Sequence, residues 1–252
     1  MTRKIALITG ASRGLGKSAA LHLAAQGVDI IGTYHSAAAE AQSVVEQVQA
    51  LGGRAAMLQL DVSQSGTFDG FVSEVGRLLK DVFAQEHFNF LINNAGIGAH
   101  ASFAETTEAQ FDQLVAIHFK APFFLTQKLL PLISDGGRII NISSGLARFS
   151  LPGYAAYASM KGAVEVLSRY QAKELGPRGI TVNTLAPGAI ATDFGGGAVR
   201  DNSDLNAMVA NSTALGRAGL PDDIGGAIST LLADGSSWIT GQRIEASGGM
   251  FL

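Results

Sequence analysis

Tyr157 and Lys161 stand four residues apart in the stretch YAAYASMK, residues 154–161. On a helix that spacing puts both side chains on one face, one turn apart. Tyr154 stands three residues before Tyr157 but seven from Lys161, two turns or ~10 Å of helix rise. Spacing therefore selects Tyr157 as the phenol that the lysine can reach. A phenol with a pKa of ~10 is mostly protonated at neutral pH, so its phenolate is scarce as a base. Moving it toward ~7 takes roughly 4 kcal/mol. A cation about 4 Å away at an intermediate effective dielectric supplies an energy of that order. Tyr–Lys pairs at this spacing are also common on solvated helix faces, so the pair gains chemical meaning only from what else converges on it.

A second stretch, TGASRGLG at 9–16, follows an apolar run directly. Gly10, Gly14 and Gly16 let a backbone turn sharply and approach a ligand closely, with Ser12, Arg13 and Leu15 between them. If the turn opens a helix, the free N–H groups and partial positive charge of the helix N-terminus suit a pyrophosphate. A dinucleotide is the expected ligand. The end of the next strand chooses between the two nicotinamide dinucleotides. An acid there would accept hydrogen bonds from the adenosine ribose and repel a 2′-phosphate. Here Thr33, Tyr34, His35 and Ser36 offer no carboxylate, and Arg13 is placed to pair with a phosphate. The expected cofactor is NADP(H). Asp29 comes too early in its strand to serve the ribose and is expected as an exposed edge residue.

These residues need a scaffold, and the periodicity supplies one. Short apolar runs at 4–9, 28–34, 54–62, 88–94, 137–144, 179–186 and 242–247 alternate with helical patterns at 15–26, 37–51, 67–87, 108–133, 154–175, 203–212 and 222–233. The strands are apolar on both faces, the pattern of parallel strands covered by helices on each side. Regular alternation implies right-handed crossovers and a doubly wound sheet. Pro122 and Pro131 are expected to disturb the long helix at 108–133. No linker, repeat or charge block interrupts the pattern, so residues 1–252 read as one domain. Three consecutive glycines at 195–197 suit a loop, about 194–212, that closes over a ligand.

Composition bounds the function classes. Of the 252 residues, 47% are hydrophobic and 15% charged, far from a disordered composition. There is no cysteine, which excludes disulfides and thiolate metal sites, and no other metal site is expected. A net charge of −3 favours neither nucleic acid nor an anionic membrane as partner. The basic, apolar start MTRKIALITG ends too early for a signal core, and no run approaches ~18 apolar residues. A cytoplasmic protein is expected.

The glycine spacing G-x-x-x-G-x-G and the Y-x-x-x-K of Tyr157 and Lys161 resemble the short-chain dehydrogenase/reductase family in its short form. The resemblance implies a single-domain α/β fold, a Rossmann-like doubly wound parallel sheet with helices on both faces. It implies a catalytic serine thirteen residues before the tyrosine, which falls on Ser144 of NISSG rather than on the adjacent Ser143. Ser144 would hold a substrate carbonyl oxygen and Tyr157 would give or take its proton. Lys161 would lower the Tyr157 pKa and bind the nicotinamide ribose. Asp61 and Val62 would border the adenine; Asn94, Ala95 and Gly96 would line the cofactor. Pro187, Gly188, Ile190 and Thr192 would hold its nicotinamide end and pyrophosphate.

Two features depart from that pattern. The family's fourth catalytic residue is an asparagine in a run like N-V-K-A-P-F-F; this chain reads HFKAPFF, with His118 in that place. An imidazole there could join the proton relay or simply fill space. The helix at 67–87 is also a few residues longer than usual. Pocket candidates are Leu146, Phe149 and Tyr154, with Arg148, Leu151, His100 and Phe103 near them. They suit a small-molecule substrate, a hydrophobic ketone or secondary alcohol. Segments such as RGITVNTLAPG resemble 3-oxoacyl-acyl-carrier-protein reductases, the alternative reading, for whose acidic carrier Arg178 is one candidate contact. A non-catalytic NADP-sensing protein is the alternative of another class. The family resemblance also implies a homotetramer, formed through the helices at 108–133 and 154–175.

Overall fold

The computed structural model describes residues 3–252. Seven strands form one sheet: β1 (Ile5–Ile8), β2 (Asp29–Tyr34), β3 (Ala55–Gln59), β4 (Phe88–Asn93), β5 (Ile133–Ile142), β6 (Thr181–Pro187) and β7 (Arg243–Ala246). Every neighbouring pair is parallel, in the order β3-β2-β1-β4-β5-β6-β7. Strand direction fixes the two cores. Successive residues of a strand point to opposite faces, so Ile5 and Leu7 enter one apolar cluster while Ala6 and Ile8 enter the other. Helices α1 (Gly14–Ala25), α2 (Ala38–Ala50) and α9 (Pro221–Leu232) cover one face. Helices α3 (Phe68–Asp81), α5 (Ala121–Leu129) and α6 (Ala155–Leu175) cover the other. Chain order reverses on either side of β1, which opens a ligand crevice beyond the strand C-termini.

The expected helix at 108–133 is divided. Helix α4 (Glu108–Val115) runs into a wide π-turn at Ala116–Lys120, and α5 resumes at Ala121. The cause is Pro122, which has no N–H to return to the carbonyl of His118. The ladder widens instead, and the Ala121 N–H bonds back to the Ala116 carbonyl. Strand β5 begins at Ile133, earlier than expected, pairing with Phe88 before an irregularity that restores register at Arg138. Helix α3 stops at Asp81 rather than reaching 87: Ala84 adopts φ 53 and the Gln85 N–H closes on the Leu79 carbonyl at 2.9 Å. The loop at 194–212 carries α7 (Ala198–Asp201) and α8 (Ser203–Asn211).

A buried polar network pins α5 and α6 to the sheet. The Asn93 amide donates to Thr126 Oγ1 at 2.9 Å and to Asn141 Oδ1 at 2.7 Å. The Asn141 amide donates to Ser168 Oγ at 2.8 Å and Gln171 Oε1 at 2.9 Å. Among the described residues no helix is long and apolar enough to cross a membrane, and no group of three or more His, Asp or Glu could hold a metal ion.

Asp29 is not an exposed edge residue. It is fully buried and accepts from the Arg54 amide at 2.9 Å and from Arg54 Nε at 2.9 Å, with Arg3 Nε at 3.0 Å. Its carboxylate ties the starts of β2 and β3 together. Asp29→Ala removes these charge-assisted bonds and is expected to lower unfolding stability by roughly 2–3 kcal/mol. Urea denaturation measures it; an unchanged midpoint would contradict this account of Asp29.

Candidate active site

The glycine turn is locked to its neighbours by bonds between side chains and backbone. Thr9 Oγ1 accepts from the amides of Asn94 at 2.9 Å and Ala95 at 3.0 Å. The Asn94 side-chain amide donates to the carbonyls of Thr9 at 2.9 Å and Gly10 at 3.1 Å. The Gly10 amide donates to Thr33 Oγ1 at 3.0 Å. A Cβ on Gly16 would stand 2.2 Å from the Gly10 carbonyl oxygen, so only glycine permits α1 to start so close to β1. Arg13 sits extended at the head of α1, and no side chain caps that N-terminus. The Arg13 side chain is exposed, 3.9 Å from Asp193. Ser12 is buried and Leu15 packs into the core shared by α1 and α9.

Tyr34 ends β2, and His35 and Ser36 follow it. His35 Nε2 lies 3.7 Å from Asp61 Oδ2. Burial pushes the Asp61 carboxyl up, but bonds from the Ser63 hydroxyl at 2.7 Å and amide at 2.9 Å outweigh it and hold it below its ordinary value. Val62 packs against the opposite core, the one beneath α3 and α5. Beyond β6, the Gly188 backbone packs against Ser247, the Ile190 side chain fills the space left by Gly219, and Thr192 Oγ1 accepts from the Phe194 amide at 3.2 Å. Pro187 ends β6.

Helix α6 brings Tyr157 and Lys161 to the C-terminal end of β5, both buried. Lys161 Nζ donates to the Ile142 carbonyl at 2.7 Å and stands 5.5 Å from the Tyr157 ring centroid. The two serines separate. Ser143 Oγ donates to Glu165 Oε1 at 2.7 Å, whereas Ser144 Oγ accepts from the Leu146 amide at 3.2 Å and faces the Tyr157 phenol. The electrostatics differ from the expectation for this pair. Burial pushes the Tyr157 phenol well above its ordinary value; the Ser144 hydroxyl opposes that and nearby Tyr154 adds to it. Burial also pulls Lys161 down to about 7. Burial is the largest cause of both shifts, so these side chains do not by themselves make a neutral-pH phenolate.

His118 sits in the π-turn and is turned inward, 1% exposed. Its ring lies edge-on to Tyr157 with centroids 5.1 Å apart. Nε2 is 2.9 Å from the Ile97 carbonyl and 3.3 Å from the Ile97 amide, while Nδ1 has no partner among the described residues. A Cβ on Gly96 would meet the ring at 2.7 Å, so the glycine of NNAG makes room for the imidazole. Burial and the Lys161 charge pull His118 from 6.5 to about 3. An imidazole titrating near its ordinary value is therefore absent, and His118 is neutral at working pH.

Among the pocket candidates, Leu146 packs against Tyr157, and Tyr154 meets His100 edge-on at 5.1 Å. Phe194 stands 6.0 Å from Tyr157, and Phe149 lies against Gly145. Phe103 is 88% exposed. Sequence reasoning missed Thr9 and Thr33, which hold the glycine turn, and the π-turn that aims His118. Thr9 carried a signal, standing directly before the first glycine; Thr33 carried none.

As pH falls below 6.5 the unfolded chain protonates His118 while the folded chain does not, so stability is lost on acidification. Between pH 7 and 5 this group alone accounts for about 2 kcal/mol. His118→Asn is expected to lose that much less than the parent protein when urea unfolding is compared at the two pH values. Equal losses would refute a neutral buried His118.

A family model described as enoyl-(acyl carrier protein) reductase matches residues 10–251. The hydroxynaphthalene reductase-like protein Arp2 of Metarhizium brunneum is 34% identical over 98% of this chain and 94% of its own length. The structure of the promiscuous reductase LugOII, which catalyses keto-reduction at C1 during lugdunomycin biosynthesis, superposes with a TM-score of 0.94 at 38% identity, over 100% of this chain and 99% of that one. The angucycline C-6 ketoreductase LanV with bound NADP superposes with a TM-score of 0.93 at 35% identity, over 98% and 95%. On these matches, the chain belongs to the short-chain dehydrogenase/reductase family.

Proposed function

We propose that this protein is an NADP(H)-dependent ketoreductase that interconverts a ketone and a secondary alcohol, acting on a ring ketone of aromatic character. The observation that carries the reading is the meeting of Ser144, Tyr157 and Lys161 at the C-terminal end of β5, beside a glycine turn that only a Cβ-free backbone can make. The turn fits a dinucleotide: its helix N-terminus is uncapped by any side chain, and Arg13 stands exposed at its head. The similar LanV structure holds NADP, and the names of Arp2, LanV and LugOII describe reductases.

When bound, the dinucleotide supplies the hydride. The chain's own residues manage the carbonyl oxygen. Ser144 Oγ offers it a hydrogen bond. Tyr157 keeps its proton at neutral pH, because burial holds the phenol high, and donates it as negative charge develops on the oxygen. Lys161, fixed by the Ile142 carbonyl, orients the nicotinamide ribose. His118 holds the 96–97 turn through Ile97 and supports the Tyr157 ring edge-on. It acts as a neutral support rather than a titrating relay member.

The acyl-carrier reading has less support. Arg178, its candidate contact, bonds Asp135 at 2.7 Å and the carbonyls of Leu130 and Ile133, so it holds a turn. The homo-oligomer remains part of the proposal. A groove of about 570 Å³ between α5 and α6 is lined by Phe119, Phe123, Val166 and Tyr170, away from Tyr157, and a second copy would cover it.

Tyr157→Phe should lower kcat by at least about a hundredfold with NADPH affinity kept; substantial residual turnover would reject the assignment. Arg13→Ala should raise the KM for NADPH roughly tenfold and leave that for NADH nearly unmoved. A matching rise for both cofactors would show that Arg13 does not read the 2′-phosphate.

A further inference from the structure

Beside Ser144 lies a cluster of charges and rings that the reaction as described does not use. Arg148 makes a two-pronged pair with Glu245, with Nε and Nη2 each 2.8 Å from a carboxylate oxygen. The same guanidinium donates to the carbonyls of Met250 at 2.8 Å and Phe251 at 3.2 Å. Two parallel bonds to one carboxylate fix the plane of the guanidinium, so the carbonyls are gripped in a set position.

The gripped segment is strained. Phe251 adopts φ 52, a conformation that bulky residues avoid unless their surroundings impose it. Three backbone bonds complete the hold: Ala214 N–H to the Gly249 carbonyl at 3.2 Å, Leu215 N–H to Gly248 at 3.0 Å and Phe251 N–H to Ser212 at 3.0 Å. Residues 248–251 thus strap the end of α8 to the loop that bears Ser144.

The strain delivers a ring. Phe251 meets Phe149 edge to face, with centroids 4.7 Å apart and planes at 64°. Phe149 itself lies against Gly145, next to Ser144, and the Arg148 guanidinium stands 5.4 Å from its centroid. Phe251 remains 40% exposed, so the pair presents apolar surface rather than hiding it. Glu245 belongs to a chain of ion pairs through Arg243, which donates to Glu165 at 2.7 Å, to Glu245 at 2.8 Å and to the Ser144 carbonyl at 3.3 Å. The wall and the serine share one anchor.

We propose that Phe149 and Phe251 are specificity-determining residues that form an aromatic wall of the substrate site and select flat, fused-ring ketones, and that Arg148 is the positioning residue that holds this wall. The proposal rests on the ketoreductase reading and narrows its substrate class. An edge-to-face pair offers a planar ligand both a ring face and a ring edge, the two preferred aromatic contacts.

Two measurements on the full chain with NADPH test it: steady-state kinetics on 1-tetralone against 2-octanone, and the equilibrium binding of 2-naphthol, which needs no turnover. Phe251→Ala is expected to weaken naphthol binding and raise the tetralone KM by roughly five- to tenfold, several times more than the octanone KM, with kcat changed less than KM. Phe251→Tyr should restore both values. Arg148→Gln should reproduce the alanine pattern, and Arg148→Lys, which lacks the planar fork, should not rescue it. Equal naphthol affinity in parent and Phe251→Ala, no naphthol binding by the parent, or equal losses on both ketones would overturn the wall. Naphthol binding that is lost in Phe251→Ala, by a protein that reduces neither ketone, would uphold the wall and reject the ketoreductase reading instead.

Discussion

Lys161 is a cation drawn into the interior and held by one backbone carbonyl, that of Ile142 at 2.7 Å. Burial alone pulls its pKa down to about 7, so the ammonium persists there only where its surroundings favour it. Most of the site follows from that contact. It sets the depth at which α6 docks on β5, and therefore the position of Tyr157 one turn earlier. It also spaces Tyr157 from Ser144, which leaves the sheet just beyond Ile142. The polar network of Asn93, Thr126, Asn141, Ser168 and Gln171 fixes the same helix further along. With its polar groups satisfied, that network specifies one docking rather than several.

The desolvation that lowers the Lys161 pKa raises that of Tyr157. Both shifts favour the neutral form, as burial must. In the proposed reaction a phenol held high by burial would keep its proton for donation to a developing alkoxide. Neutral His118 completes the arrangement. Its ring edge supports Tyr157 and its Nε2 ties down the 97 backbone, without adding a charge that would compete with Lys161. The π-turn that aims it follows from Pro122, which removes one N–H from the helix ladder. Such turns recur where a helix must present a side chain that regular geometry would point elsewhere.

Around this centre two rigid assemblies meet. One is the glycine turn, joined through Thr9, Thr33 and Asn94 to the ends of β2 and β4. The other is the chain of ion pairs from Glu165 through Arg243 and Glu245 to Arg148, which holds the Ser144 carbonyl and the 248–251 strap. In the proposed function the first would hold the dinucleotide and the second would border whatever faces it. The first is built from hydroxyl and amide side chains bonded to backbone and the second from paired charges, and the strap of the second also ties down Ser212 at the end of the 194–212 loop.

The sequence by itself determined the alternation of strands and helices, the parallel sheet, the glycine turn and the Tyr157–Lys161 spacing. Each is a local pattern: apolar runs on two faces, glycines at a set interval, and residues one helical turn apart. The family resemblance put the serine at Ser144 rather than Ser143, and the folded chain adds that Ser143 is bonded to Glu165, remote in sequence. Only the tertiary structure decided the electrostatics. A Tyr–Lys pair read as a line of text suggests a lowered phenol; the folded interior raises it, because desolvation depends on everything packed around the pair. The same holds for Asp29, which looks like an edge residue and is buried between two arginines. It holds again for His118 and Phe251, whose roles come from a missing proline N–H and from a guanidinium a hundred residues away in the chain. Spacing reports what shares a helix face or a turn. Burial and long-range pairing arise only when distant segments meet.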